Sequence, residues 1–472
     1  MSKPELLIIG GGPAGMSAAI EAASHGVSCC IVDEARELGG QIYRDAHSSA
    51  RDTSPGLIHP RGDELRARLA ALGKFIEVRS ESMVWGISDG NKVAVGKENT
   101  GTEFINPQAM IMATGAYEYI PPFPGWTLPG VMTPGSAQIL AKTLNVLPGN
   151  RVVVAGTGPL LYVVASQLVQ KGINVIAVLE ATPRRDWLKL PFTGWRAWDL
   201  LREGIGYLRI LRNAGVPVHY GRIVTRAEGD TEVTHIYHAP VDQDWFPNRD
   251  QEECLEVDTL CVGYGLQPRN YLAQLAGCEI EFNEMSGGWI PQRDHNLLTS
   301  IPNTYAVGDG AGVAGSKIAE LEGQLAGLVV AASLGHIDNT QLRQRRKPLQ
   351  RELDRIASLQ NAIAMITRIR PGLTDLVDTD TIVCRCEEVR WKEAKEAIEH
   401  GGQDFRTLKV MTRLGMGMCQ ARFCWPAMAR MVASHKGCDV SEVGPVRPRP
   451  PIRPVRLDVI AEAPQNHAQE TE

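Results

Sequence analysis

Two stretches of the chain repeat one hydrophobic pattern. ELLIIGGGPAGMSAAIEAASHGVSCCIVDEA and NRVVVAGTGPLLYVVASQLVQKGINVIAVLE each open with a short apolar run and pass through glycines. Each then continues as an apolar stretch of helical length and closes in a second apolar run. That order predicts a βαβ unit, whose parallel strands are buried on both faces and so read as unbroken apolar runs. Further along, QLRQRRKPLQRELDRI, with Arg343, Arg345, Arg346 and Lys347, predicts a charged helix facing solvent or a partner. WKEAKEAIEHGG and WPAMARMVASH predict two more helices. Residues 445–456, PVRPRPPIRPVR, hold five prolines and four arginines and predict an extended polyproline-type strap. The final AEAPQNHAQETE predicts a disordered end.

In the first unit, Gly10-x-Gly12-x-x-Gly15 has dinucleotide spacing. The first glycine permits a tight turn, the second lets the backbone approach a pyrophosphate, and the third lets helix and strand pack closely. Pro13 and Ala14 belong to the same loop, where the helix turns its positive dipole end toward the phosphates. Asp33 ends the second strand, where a ribose-binding carboxylate belongs, and Glu34 is the neighbouring candidate. The second unit carries Gly156-x-Gly158-x-x-Leu161. Leucine at the third position is expected to push the helix away from the strand and the phosphates. Glu180 is positioned for a ribose 2′-hydroxyl, which favours NAD over NADP, while Arg184 and Arg185 argue the other way. An adenine-nucleotide site for NAD or ATP and a relic fold kept for packing both stay open. Residues 181–250, with Trp187, Trp195, Trp198 and Trp245, read as a segment that covers or docks something, although any single tryptophan reads as core.

A chain of 472 residues with 43% hydrophobic content can bury two or three cores. MSKPELLIIGGG lacks the apolar region of a signal peptide, and no run of about eighteen apolar residues follows. The chain therefore reads as soluble and cytoplasmic, and a net charge of −5 argues against nucleic acid as a partner. In that compartment clustered cysteines favour a metal or redox centre over a staple. Four of the ten cysteines form two tight pairs, Cys384-x-Cys386 and Cys419-x4-Cys424. Four thiolates suit a [2Fe–2S] cluster, two per iron, and zinc or disulfides are the competing readings. Cys29, Cys30, Cys254, Cys261, Cys278 and Cys438 read as structural thiols. The sequence shows no Ser–His–Asp order, HExxH, P-loop or Cys-x-x-Cys, and no catalytic residue is assigned.

Three further segments resemble the motifs of two-dinucleotide flavoproteins. ELGGQIYR, with Gly40 and Gln41, resembles their pyrophosphate loop, and MIMATG, with Ala113, Thr114 and Gly115, their strand-to-linker motif. LLTSIPNTYAVGDGAG, with Gly308 and Asp309, resembles the distal flavin motif, in which an aspartate at a helix start holds the ribityl chain. The resemblance implies FAD in an α/β fold of the glutathione and thioredoxin reductase type. FPGWTLPGVMTPGSAQIL, CVGYGLQP and TRLGMGMCQARFCWP extend it to the α subunits of bacterial opine oxidases. Their relatives are in hydrogen cyanide synthase, hydroxyproline and proline dehydrogenases and heterotetrameric sarcosine oxidase. The cysteine pairs resemble the small helical [2Fe–2S] module of bacterioferritin-associated ferredoxin.

The implied organisation is a FAD domain in two parts, 1–145 and 263–340, around a second dinucleotide fold at 146–262. A linker helix follows at 341–378, then the [2Fe–2S] module at 379–440 and the strap and tail at 441–472. The implied function is that of an electron-transferring α subunit in a hetero-oligomer. A FAD-containing, amino-acid-oxidase-like β subunit would oxidise the CH–NH bond of an opine such as octopine or nopaline, or of an amino acid. The resemblance also allows a small γ subunit, an FMN at an interface between subunits, and peripheral contact with the inner membrane through the electron acceptor. A self-sufficient NADH-dependent reductase is the alternative, and a hydrogen cyanide synthase or hydroxyproline dehydrogenase subunit is another.

Overall fold

The computed structural model describes residues 4–44, 60–88, 92–98 and 100–461. Its first sheet is parallel, in the order Thr304–Ala306, Ala109–Met112, Leu6–Ile9, Cys29–Val32, Ile76–Arg79. Every residue of Leu6–Ile9, Cys29–Val32 and Ala109–Met112 is buried, which is why these strands appear in the sequence as unbroken apolar runs. The helix Pro13–Ser24 lies against the helix Ser316–Ser333, far away in sequence, and the two share one core with the sheet. A Cβ on Gly323 would fall 2.1 Å from the carbonyl oxygen of Ala14, so the two helices approach with no side chain between them.

The second sheet is also parallel, in the order Val218–Tyr220, Asn174–Glu180, Arg151–Gly156, Thr259–Gly263, Val131–Met132. It takes in Val131–Met132, ahead of the boundary at 146 drawn from the sequence pattern. The joint is instead an antiparallel ribbon in which Ala116–Glu118 pairs with Leu266–Pro268, one strand leading out of the first fold and the other leading back.

After this body comes a long helix, Asn339–Thr367, opened by a capping box in which Asp338 accepts from Thr340 N (2.7 Å) and Gln341 N (2.8 Å). Pro348 lies inside it. Its charged stretch holds to the body through Arg346, which donates to Asn296 Oδ1 (2.6 Å) and the carbonyl of His295 (2.7 Å).

The C-terminal module is a hairpin, Ile382–Cys384 with Val389–Arg390, followed by helices Trp391–Glu399, Phe405–Thr412 and Trp425–Lys436. Leu408, Leu414, Trp425 and Met428 are central to its core. Arg430 fixes the module to the body by donating to both carboxylate oxygens of Glu284 (3.0 Å each), and Trp126 Nε1 donates to the carbonyl of Ile382 (2.6 Å).

The strap at 445–456 is extended, as its composition predicts, and lies on the chain's own body. The Ile452 amide donates to the carbonyl of Trp85 (3.0 Å). Gln420 donates to the carbonyl of Pro451 (2.9 Å) and Arg422 to that of Ile452 (2.5 Å). A short helix, Leu457–Ala461, ends the described chain, and residues 462–472 lie outside it. No described helix is long and apolar enough to cross a membrane.

Candidate functional site

The glycine turn of the first fold opens onto a cavity of about 1410 Å³. Gly10, Gly12, Pro13, Ala14, Asp33, Glu34, Gly40, Gln41, Ala113, Thr114, Gly115, Gly308 and Asp309 all line it, so segments far apart in sequence meet around one space. Gly15 stands behind the turn, where a Cβ would overlap the carbonyl oxygen of Gly10 at 1.8 Å. A Cβ on Gly12 would find only the Cα of Gly40, at 3.7 Å, and so marks the open approach to the helix N-terminus. The volume exceeds the roughly 300–1,000 Å³ of ordinary small-ligand pockets, as a dinucleotide requires. The cradle therefore fits FAD.

The carboxylates differ in detail from their expected roles. Asp33 braces the turn itself, accepting from Gly11 N (2.5 Å) and Ala35 N (2.7 Å), while Glu34 is ion-paired with Arg453 of the strap. Asp309 lies on a short 3-10 turn ahead of the helix and not at its start. Its Oδ1 accepts from Ala314 N (3.0 Å) and Gly315 N (2.9 Å); burial pushes its pKa up and these amides oppose that shift. Behind it Glu322, unmarked by any motif, accepts from Gly308 N (2.7 Å) and pairs with Arg293 (2.7 Å).

Cys384, Cys386, Cys419 and Cys424 line the same cavity. Two tight loops bring them together. A Cβ on Gly417 would stand 2.3 Å from the Cβ of Cys386, so that glycine sets how closely the loops can meet. Cys424 shares hydrogen bonds with Cys384 and Cys419, and Cys386 with Cys419. Cys384 also accepts from Gly415 N at 3.5 Å. Hydrogen bonding from Cys424 holds the thiols of Cys384 and Cys419 down, to about 6 and about 5, while the same contacts and burial push Cys424 up. Cys386 is exposed and the other three are buried. Among the described residues no group of three or more His, Cys, Asp or Glu side chains is arranged to hold a single metal ion; a [2Fe–2S] centre asks each iron for two thiolates. Of the other thiols, Cys254 is exposed, contrary to the buried role expected of it.

The same cavity is lined by Tyr117, Glu118 and Arg269, which lie outside the motifs, and by Arg422 and Phe423 of the cysteine loop. Tyr117 packs on Phe423 with ring centroids 5.9 Å apart, and the Arg269 guanidinium sits 5.6 Å from the Tyr117 ring. Burial lowers the pKa of Arg269, and the charges of Arg453 and Arg422 add to that. Glu118, whose carboxyl burial pushes up, accepts from Gly135 N (2.9 Å) across the inter-fold ribbon. Arg422, lying between Cys419 and Cys424, was legible as a neighbour of the cysteines. Arg269 and Arg453 are brought in by tertiary contacts alone.

Gly156, Gly158 and Glu180 of the second fold lie outside this cavity. Leu161 does not hold its helix off but seats in a core with Val152, Val154 and Val164. Glu180 is 0% exposed and accepts from Thr157 Oγ1 (2.7 Å), Thr182 N (2.9 Å), Tyr162 OH (3.2 Å) and Gly158 N (3.3 Å). The tryptophans divide: Trp245 is wholly buried and Trp187 packs on Tyr162, whereas Trp195 and Trp198 are 68% and 52% exposed.

Residues 4–335 match the pyridine nucleotide-disulphide oxidoreductase family, and residues 379–463 match the sarcosine oxidase A3 domain. The hydrogen cyanide synthase subunit HcnB of Pseudomonas protegens is 34% identical over 98% of this chain and 98% of its own length. An opine oxidase subunit of Agrobacterium tumefaciens is 35% identical over 98% of this chain and 92% of its own. L-proline dehydrogenase from P. horikoshii shares the fold at a TM-score of 0.68 and 20% identity, covering 97% of this chain and 79% of that one. The reductase family matched over two thirds of the chain, together with full-length likeness to subunits of opine oxidase and hydrogen cyanide synthase, makes this chain an oxidoreductase subunit of the pyridine nucleotide-disulphide oxidoreductase family.

Proposed function

We propose that this chain is the electron-transferring subunit of a multisubunit flavin-dependent amine dehydrogenase, holding FAD and a [2Fe–2S] cluster. The observation that carries the reading is that one cavity is lined both by the glycine cradle and by all four paired cysteines. Gly10, Gly12, Gly40, Gln41, Ala113, Thr114, Gly115, Gly308 and Asp309 would hold the dinucleotide, and Cys384, Cys386, Cys419 and Cys424 the cluster. FAD exchanges electrons in pairs or singly and a [2Fe–2S] centre singly, so a chain with both can connect a two-electron donor to a one-electron acceptor.

The chain's own residues prepare both sites. The helix N-terminus at Pro13 offers unpaired N–H groups and a positive dipole end to phosphates. Gly415 aims an N–H at Cys384, and two of the thiols are biased toward thiolate, the form that binds metal. Tyr117 and Phe423 pack on one another and add aromatic surface to the cavity that both sites share.

The amine would be oxidised on a partner, for which the flavin-containing, amino-acid-oxidase-like protein implied by the resemblance is the candidate. The relatives named as subunits support a partner of some kind. The test is analysis of the purified chain for flavin, iron, acid-labile sulfide and zinc. The reading expects FAD, with two irons and two sulfides per chain as a [2Fe–2S] centre requires. Stoichiometric zinc without sulfide would overturn the cluster, and absence of flavin from the folded chain would overturn the FAD site.

A further inference from the structure

In open parallel sheets ligands bind in the crevice outside the carboxyl ends of the strands. In the second fold that edge is formed by Gly156, Glu180 and Gly263, and the chain itself packs against it. Tyr264, directly after the strand Thr259–Gly263, is buried beside Trp245 with ring centroids 6.0 Å apart. Leu373 and Leu376 join both in one core with Ala155, Leu179 and Ala181. Gly158, the glycine over which a pyrophosphate would lie, is itself uncrowded, with Thr367 Cγ2 at 4.0 Å from a Cβ position, so the packing lies at the strand ends and around Glu180. Thr182 closes the remaining side: its hydroxyl donates to the carbonyl of Ile366 (3.2 Å) and meets the hydroxyl of Thr157 (2.9 Å). The segment is held down by Arg370, which pairs with Asp186 (3.4 Å) and lies over Trp245 at 5.3 Å, and by Gly372 N, which donates to the carbonyl of Asp244 (2.9 Å).

A nucleotide at this edge would need the Glu180 carboxylate for its ribose, yet Glu180 already has four donors and no exposure. Arg184 and Arg185, the candidate partners of a 2′-phosphate, are exposed on a four-residue helix outside the packed edge. In the first fold, by contrast, the matching turn and carboxylates line an open cavity.

We infer that residues 366–376 and Trp245 are an internal plug in the second dinucleotide crevice, so that the fold binds neither NAD(P) nor ATP and the chain takes no electrons from a nicotinamide. This disagrees with the pyridine nucleotide chemistry that the family description implies. It bears on the proposed function by removing NADH as the electron source, and it uses the FAD reading only for an optical signal.

The test has two independent readouts on the purified, flavin-replete chain. Calorimetric titration with NAD, NADH, NADPH and ATP should give no saturable binding. Anaerobic mixing with NADH or NADPH should leave the flavin absorbance unchanged, whereas dithionite bleaches it. Glu180→Gln should lower the melting temperature and leave both readouts as they were. Saturable binding of any of these nucleotides, or bleaching by NADH, overturns the plug. If the chain carries no flavin, the calorimetric arm still decides, and failure of the FAD reading stays separate from failure of this one.

Discussion

Gly417 and Gly12 are tight or open for opposite reasons, and substitutions separate them. Gly417→Ala forces a methyl group into the Cβ of Cys386 and should part the two cysteine loops. Iron content is expected to fall by most of its value while FAD is retained, as judged by metal and flavin analysis of the same sample. At Gly12 a Cβ meets only the Cα of Gly40, at 3.7 Å, and the branches of Gly12→Val extend from there into the approach to the helix N-terminus. That variant should stay folded and lose FAD; retention of both groups by both variants would sever the sites from the cavity.

Glu180 predicts a pH effect on stability. Burial pushes its carboxyl from 4.5 up to about 7, so the folded chain holds a proton that the unfolded chain releases. Its contribution is full below about pH 4.5, declines as pH rises toward 7, and is lost above that. The decline amounts to about 3 kcal/mol at most. The melting temperature of the wild type should fall relative to that of Glu180→Gln across this window; parallel curves would show that Glu180 titrates normally. At this scale the motif glycines were legible because their spacing carries the geometry. The division of labour between Asp33 and Glu34 was not, because it depends on Arg453, which reaches Glu34 from the far end of the chain.

At the scale of elements, the strap contacts both candidate sites: Arg453 pairs with Glu34 of the cradle, and Gln420 and Arg422 of the cysteine loop bind the strap's backbone. Ending the chain after Gly444 should therefore weaken retention of flavin and iron together, whereas loss of neither would show the strap to be an independent tail. Asp338→Ala, which removes the capping box of the helix Asn339–Thr367, should cost about 1 kcal/mol in thermal or denaturant melts. The parallel strands were legible because both their faces are buried. The joint between the two folds was not legible, because it is a short ribbon, Ala116–Glu118 with Leu266–Pro268, with no hydrophobic period of its own. The packing of 366–376 on the second sheet was illegible for a related reason: Thr182 and Ile366 meet across 184 residues of sequence.

At the scale of the molecule, two dinucleotide-type folds and a cysteine module surround one large cavity, and the candidate chemistry is confined to the first fold and the module. The substrate is not inscribed in this chain, since relatives named for opine oxidation and for hydrogen cyanide synthesis are 35% and 34% identical to it over nearly its whole length. In the proposed function, electrons enter this chain from a partner that oxidises the amine. The most direct measurement is dye-linked dehydrogenase activity on octopine, nopaline, proline, hydroxyproline, sarcosine and glycine. It is made first with the homogeneous chain and then with the complex purified through a tag on it. No turnover is expected from the chain alone, and turnover of one of these substrates from the complex; robust turnover by the homogeneous chain would show that it oxidises the amine itself.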